Sequence, residues 1–489
     1  MYASEPFVWI AFIFYLVATF GFAWLGHRKG QGGSFLDEFF VAGRSIGPWT
    51  LALTWIATAA SGGSFIGVPA LAYTYGWPIL LWICSYMVVA LLGFGMLASR
   101  ISDLGRKTGA LTYPDLLRDR FESPAIGAVA GVAIVLLYMA YMEAQYVAGS
   151  RVLEAVLGIP YTWGLIGFAV TVGLYTAYGG FRAVAWTDAF QAVVMLFGVV
   201  LAAALAVHKI GGFEALAVNL QAQDPELLTL PGPDGYLPIS AAVSFFVIWP
   251  LATAGQPSLM TRFLASKGGG SLKRAMFLVG LYILLLYPSI ILIAIAGRAL
   301  TPGLETADHA MPATILAATP PWLAGFVLAA PMAAIMSTLS SFLLVGSSAI
   351  VRDLYERNLA TPISEQKARK LTHIATLVIA VIPLVFAFRP PEFLQYIVVF
   401  SGTGLSATFV CPTLFALYWP TFNRVGCLAA MLGGFGSFLF QYLQMGSRSY
   451  LGLDPFVWSL GVSAICGVLG WWLGPPDRKE IRERYFGEA

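Results

Sequence analysis

Charged side chains are scarce. Asp, Glu, Lys and Arg make up 11% of the 489 residues, against roughly 25% in an ordinary soluble domain. So thin a supply cannot clothe a water-facing surface of this size, which excludes a soluble protein. Cysteine is also sparse: Cys84, Cys411, Cys427 and Cys466 fall inside apolar runs without metal-ligand spacing and read as small core residues. The histidines His27, His208, His309 and His373 are scattered. There is no His-Glu-x-x-His, no Gly-x-Ser-x-Gly and no Walker loop, so nothing argues for an enzyme. The net charge of +3 comes from basic residues in short connections and leaves no nucleic-acid footprint.

What the chain has in abundance is apolar length; 58% of it is hydrophobic, and about 20 mostly apolar residues cross a bilayer as a helix. Hydropathy punctuated by Gly, Pro and charge predicts thirteen spans, at 7–26, 46–75, 78–99, 124–155, 161–178, 183–208, 239–265, 272–299, 321–355, 366–388, 392–419, 424–444 and 455–474. The first is followed by His27-Arg28-Lys29 without a small-residue cleavage site, so it reads as a span and not a leader. With the N-terminus outside and the C-terminus in the cytoplasm, 23 of the 28 Lys and Arg face inward. Only Arg151, Lys209, Arg298, Arg389 and Arg448 stay outside, an asymmetry that a wrong span count would scramble.

Two spans read as interrupted. The second holds Ala57-Thr58-Ala59-Ala60-Ser61-Gly62-Gly63-Ser64, and the seventh holds Trp249-Pro250 and Gly255-Gln256-Pro257. Small residues also serve close helix packing, and proline also makes plain kinks. Position favours more than that. The two segments head consecutive five-span sets, 46–208 and 239–419, which five crossings leave in opposite orientation. Interrupted helices at matching places in inverted halves point to a transporter's central site, where freed carbonyls favour a cation.

The ninth span carries Ala334, Ser337 and Thr338 on one face, with Ser340 and Ser341 a turn further on. Hydroxyls and a strained carbonyl suit an alkali cation, although Ser and Thr also act as helix–helix glue. Glu143 and Asp188 are the acidic residues well inside a span, where carboxylates are costly and usually functional. Asp188 either joins the deeper hydroxyls in a site or pairs with Arg182 or Arg262. Glu143 either shares a polar cavity with Gln145 or bonds a neighbouring helix.

The stretch Tyr175-Thr-Ala-Tyr-Gly-Gly-Phe-Arg-Ala-Val-Ala-Trp-Thr-Asp188-Ala-Phe-Gln191 resembles the sodium:solute symporter family, and within it the pantothenate branch. Phe39-Phe-Val-Ala-Gly-Arg-Ser45, Ser64-Phe-Ile-Gly-Val-Pro69, Leu157-Gly-Ile-Pro160 and Ala329-Ala-Pro-Met-Ala-Ala-Ile-Met-Ser-Thr338 are similar in register. The resemblance implies an all-α leucine-transporter-type fold in one transmembrane domain, residues 1–489. Within it, 7–26 would be an extra N-terminal helix, 46–208 and 239–419 the inverted repeats, and 424–474 two C-terminal helices. It implies Na+ as coupling ion at a main site of Ala57, Ala60 and Ala334 carbonyls with Ser337 and Thr338 hydroxyls. A second site, present in some relatives, would use Asp188, Ser337, Ser340 and Ser341. Where the pantothenate branch carries Asn-Ala this chain has Ser340-Ser341, which favours a second ion and weakens that branch assignment; Ala59 replaces the Asp of the proline branch.

The function expected is sodium-coupled import of a small organic solute, foremost a monocarboxylate such as pantothenate. A proton-coupled carrier of the same fold, with Glu143 as relay, and a sodium symporter for an amino acid or sugar stay open. A signalling fusion is disfavoured by the roughly 15 residues after the last span. The solute pocket is expected from Ser61, Ser64, Ser85, Tyr86, Gln145, Trp249 and Gln256, with Ser61, Ser64 and Gln256 foremost because both breaks point there. The expected surroundings are the lipid bilayer of the inner membrane, with a monomer sufficient for transport and no nucleic acid.

Overall fold

The computed structural model describes residues 6–28, 34–358, 363–390, 393–447 and 450–487, apart from the Tyr178 side chain. Lys29 and Arg448 of the charge asymmetry, residue 392 of a predicted span and the Tyr178 side chain therefore lie outside the described residues. Among the described residues there is no strand, only a bridge between Ile46 and Ser266. An apolar chain in lipid must satisfy its backbone polar groups internally, and helices do so within one segment.

Ten helices are long and apolar enough to cross a bilayer, and two bent pairs pass the same test when each is taken as one span. In chain order the elements begin with α1 (Pro6–Arg28), a short α2 (Phe35–Val41), and the bent pair α3 (Pro48–Ala59) and α4 (Gly63–Tyr75). Next come α5 (Trp77–Thr108), the amphipathic connector α6 (Tyr113–Phe121), α7 (Pro124–Leu157), α8 (Tyr161–Ile210) and the connector α9 (Phe213–Gln223). The second bent pair is α10 (Ile239–Gly255) and α11 (Pro257–Leu264). The chain continues with α12 (Gly269–Leu300), a short α13 (Ala310–Ala318) and α14 (Pro321–Asn358). It closes with α15 (Glu365–Phe386), α16 (Leu394–Tyr418), α17 (Arg424–Met445), α18 (Pro455–Leu473) and α19 (Lys479–Phe486).

Two predicted spans, 161–178 and 183–208, lie within α8, and of these only the limb Gly179–Ile210 is among the ten helices apolar enough to cross. The 50 residues of α8 would reach about 75 Å if straight, more than twice the hydrocarbon thickness. Gly180, at φ 65° and ψ −178°, breaks it into two limbs, a conformation that glycine adopts without a Cβ penalty.

Both interruptions fall where the residue pattern puts them. Helix α3 stops at Ala59; Ala60 takes an extended conformation, and α4 opens with a π turn over Gly63–Gly67, the pair bending by 58°. Helix α10 stops at Gly255, Gln256 is extended, and Pro257 starts α11 with a 46° bend. Proline there forfeits no intrahelical bond, since the first turn of a helix has no partner for its N–H groups. At Gly255 an added Cβ would stand 2.3 Å from the Ser406 Cα, so the break presses directly on α16.

The two bent spans are also tied together at one end. The Ile46 amide donates to the Ala265 carbonyl at 3.1 Å, and the Lys267 amide to the Ile46 carbonyl at 3.0 Å. Helix α14 runs through the centre, with every residue from Val327 to Ala349 buried. That burial explains its polar content. Ser337, Thr338 and Ser341 find partners on other helices that lipid does not offer, while Ser340, Ser347 and Ser348 donate to carbonyls of their own helix.

Candidate functional site

Where α3 ends, its last carbonyls no longer have amides one turn ahead, because the helix stops. Helix α14 brings hydroxyls to them. Ser337 Oγ lies 2.8 Å from the Ala57 carbonyl and 3.0 Å from that of Ala334. Thr338 Oγ1 lies 3.2 Å from the Thr58 carbonyl and 3.5 Å from that of Ala57. Five oxygens from two helices thus converge in a wholly buried place. No group of three or more His, Cys, Asp or Glu placed to hold a metal ion exists among the described residues. Neutral hard oxygens without such a cluster fit a monovalent cation better than a divalent one. Of the residues expected there, Ala57, Ala334, Ser337 and Thr338 meet directly. Ala60 stands just beyond them at the break, and Thr58, which the sequence reading passed over, supplies a carbonyl.

One turn deeper, the expected second ion site is occupied by a side chain. Arg262 of α11 donates to Asp188 Oδ2 at 3.1 Å, Ser341 Oγ at 2.6 Å, the Thr54 carbonyl at 3.2 Å and the Ser258 carbonyl at 2.8 Å. Thr54 Oγ1 donates to the same Asp188 oxygen at 2.6 Å. Ser340 and Ser341 hydroxyls donate back to the Ser337 carbonyl at 3.0 and 2.8 Å. The Arg262 guanidinium thus stands between Asp188 and Ser341. Of the two roles open to Asp188, this conformation shows the ion pair with Arg262 and not a grouping with Ser337, Ser340 and Ser341. Arg182 pairs instead with Glu38.

The breaks flank a cavity of about 40 Å³ lined by, among others, Thr58, Tyr86, Tyr141, Trp249, Gln256 and Thr403. Ile248 and Trp249 also line a larger vestibule of about 300 Å³, which opens on the side where α10 begins. Trp249 is thus the wall between the two. Its indole N–H and the Thr253 hydroxyl, both buried, have no hydrogen-bond partner among the described residues, so the cavity offers polar groups to something that would enter it.

Of the seven residues expected to frame a solute, Tyr86, Trp249 and Gln256 line this cavity. Gln256 Nε2 donates to the Gly402 carbonyl at 3.1 Å. Ser61 approaches through its hydroxyl, 3.5 Å from that of Tyr141, and accepts from the Gly63 amide at 3.1 Å. The other three serve differently. Gln145 Oε1 accepts from the Gly62 amide at 2.8 Å, satisfying a donor freed by the break. Ser64 faces the Tyr287 hydroxyl at 3.4 Å. Ser85 donates to the Trp82 carbonyl of its own helix at 2.6 Å and does not line the cavity, as membrane serines commonly do when no partner helix is in reach.

Tyr141, Phe342 and Thr403 also line it and were not anticipated. For Tyr141 a signal existed, since it precedes Gln145 by one helical turn and so shares its face. Glu143, two residues on, faces elsewhere. It is half-buried, does not line the cavity and makes no hydrogen bond or ion pair among the described residues.

The family model for the Sodium:solute symporter family matches residues 39–434. Sodium/pantothenate symporters of Haemophilus influenzae and Escherichia coli are each 34% identical, over 91% and 93% of this chain and 94% of each relative. A sodium/proline symporter of Staphylococcus aureus is 29% identical over 88% of this chain and 84% of its own. Among solved structures, a substrate-bound, outward-open Na+-coupled sialic acid symporter superposes with a TM-score of 0.78 at 19% identity, covering 97% of this chain and 99% of that one. A nucleobase-cation-symport-1 family transporter in a closed conformation gives 0.56 at 13% identity, over 92% and 98%.

Proposed function

The chain belongs to the sodium:solute symporter family, and from that premise we propose that it imports a small monocarboxylate, pantothenate foremost, with one sodium ion bound at the α3 break. It is a membrane transporter of leucine-transporter-type fold and not an enzyme. The observation that carries the ion site is the meeting of the Ala57, Thr58 and Ala334 carbonyls with the Ser337 and Thr338 hydroxyls. The 34% identity to two sodium/pantothenate symporters supports the solute.

In this reading α1 is an extra helix, 46–208 and 239–419 are the inverted repeats, and 424–474 adds two helices. The N-terminus lies outside the inner membrane and the C-terminus in the cytoplasm, as the Lys and Arg asymmetry supports. The vestibule then faces outward, and the Arg262–Asp188 pair closes the cytoplasmic side. A monomer holds every group the mechanism uses.

Sodium entering from outside ties the end of α3 to α14 and fixes the break. It shifts the conformational balance only by binding one state more tightly than the other. About 100 mV of membrane potential adds roughly 2.3 kcal/mol per charge moved inward. A cavity of about 40 Å³ admits only a few waters, so the solute must displace Trp249 to enter. No Lys or Arg lines the cavity. The solute carboxylate is then held by the Trp249 indole N–H, the Thr253 hydroxyl and the Gln256 amide, near the bound ion. Release to the cytoplasm requires α11 to swing away and take Arg262 from Asp188, Ser341 and the Thr54 carbonyl, its three partners on other helices. Glu143, away from the cavity, is poorly placed as the proton relay of a proton-coupled carrier.

The test is uptake of labelled pantothenate into proteoliposomes under imposed sodium or proton gradients. Sodium-driven accumulation supports the reading. Accumulation driven equally by protons without sodium removes the coupling, and sodium-driven uptake of an amino acid or sugar alone replaces the solute.

A further inference from the structure

A groove of about 730 Å³ lies between the end of α1, helix α2, the break in α8 and the start of α15. Its mouth is built from Phe20, Trp24 and Leu174, exposed apolar side chains on spans. Such an opening faces hydrocarbon. Left empty it would forfeit the dispersion contacts of its lining, and water there would find few partners.

The other end of the groove is polar, and with Arg28 stacked on its Trp24 wall the arginines there outnumber the carboxylates three to two. Glu38 is already neutralised by Arg182. His27, Arg369 and His373 line the same end, with Glu365. Two guanidiniums stand over rings that form the walls, Arg28 3.9 Å from the Trp24 centroid and Arg369 4.9 Å from that of Phe35. Neither makes a hydrogen bond among the described residues. The one ion pair between them is long, 3.7 Å from Arg369 to Glu365, with both side chains more than half exposed. An arginine held flat on an aromatic ring keeps its planar fork of N–H donors free for a phosphate.

We propose that this groove binds an anionic phospholipid of the cytoplasmic leaflet, with an acyl chain along Phe20, Trp24 and Leu174 and the phosphate on Arg28 and Arg369. Basic pockets between spans on the cytoplasmic side are suited to such headgroups. The floor of the groove is Tyr175 with Gly179 and Gly180. The Tyr175 hydroxyl donates to the Met336 carbonyl at 3.3 Å, one residue before Ser337. A lipid seated here bears on the α8 hinge beside the helix that carries the ion-binding hydroxyls. The proposal rests on the membrane orientation given above and is independent of the solute.

The experiment titrates the purified full-length protein in detergent with phosphatidylglycerol, phosphatidylcholine or inorganic phosphate and follows thermal unfolding and native mass. Phosphatidylglycerol is expected to give a saturable rise in unfolding temperature and a retained adduct, phosphatidylcholine and phosphate little or none. Combining Arg28→Ala with Arg369→Ala should weaken phosphatidylglycerol by about thirtyfold, the effect of two near-surface charges, while sodium-driven uptake in a neutral bilayer persists and reports folding. Leu174→Trp, which fills the apolar mouth and keeps both arginines, should weaken it as well. Equal effects of the two lipids would overturn the anionic preference, and an equal effect of free phosphate would overturn a lipid occupant. An unchanged response in both variants would overturn the location.

Discussion

The Arg262 guanidinium lies 3.1 Å from the Asp188 carboxylate, and the two side chains are 1% and 0% exposed. One belongs to the second half of a broken helix and the other to α8, which packs along α14. Removing one member leaves the other charged and buried, at a cost of about 3–5 kcal/mol. Arg262→Ala is therefore expected to lower the unfolding temperature sharply. Arg262→Met combined with Asp188→Asn should recover much of the loss, because no charge is left stranded. If the double variant stays as unstable as the single one, the pair is not the source of the effect. Cysteine labelling from the cytoplasmic side of the recovered variant should also rise, since the closure has been cut.

Ser337→Ala and Thr338→Ala each delete a hydroxyl from the five-oxygen group at the end of α3. Loss of one buried polar partner costs about 1–3 kcal/mol, so the sodium concentration for half-maximal uptake should rise by about tenfold or more in each. The solute concentration dependence at saturating sodium should change less. Initial-rate uptake over a sodium series checks both, and unchanged sodium dependence in the combined variant would remove the site.

Trp249→Phe keeps a ring between vestibule and cavity but removes the unpartnered indole N–H. If that group holds the solute carboxylate, the KM for pantothenate should rise by about tenfold, near the worth of one hydrogen bond to a charged group. Half-saturation by sodium should stay put. A larger loss in Trp249→Ala would separate the wall from the hydrogen bond.

Gln145→Leu strips the Gly62 amide of its acceptor without touching the cavity lining. The freed donor costs about 1–3 kcal/mol, borne by the break itself. Sodium affinity and unfolding temperature should fall together, whereas a residue that only bound solute would leave both unchanged in its absence.

Outside the spans, Asp308 connects the loop before α13 to the Leu394 amide that opens α16. Burial raises its pKa to about 7, and that amide and Arg151 offset only part of the rise. A carboxyl whose pKa is higher folded than unfolded favours the fold while protonated. Its contribution is complete below about pH 4, the unfolded value, and fades as pH rises through 7. The unfolding temperature should fall from pH 5 to 8 more steeply in the wild type than in Asp308→Asn. Asp454, also pushed up to about 7 by burial, leaves a remaining slope in that variant.

The spans, the two breaks and the family were legible in the chain because each rests on local chemistry. A run of apolar residues demands a helix in lipid whatever its neighbours are. Gly-Gln-Pro interrupts a helix by its own backbone preference, as the extended Gln256 bears out, whereas in the second span the extended residue is Ala60 and Gly62-Gly63 already belong to the next helix. The face shared by Ala334, Ser337 and Thr338 follows from helical spacing alone. Which carbonyl a hydroxyl meets does not, because it depends on how two helices cross. Thr58 enters the five-oxygen group, Ser85 turns back on its own helix and Gln145 holds the break for that reason. The fate of Asp188 shows the same limit. Its burial inside a span could be read from position, but the choice between a sodium ion and Arg262, 74 residues away, was made by the packing of α11 against α3, α8 and α14.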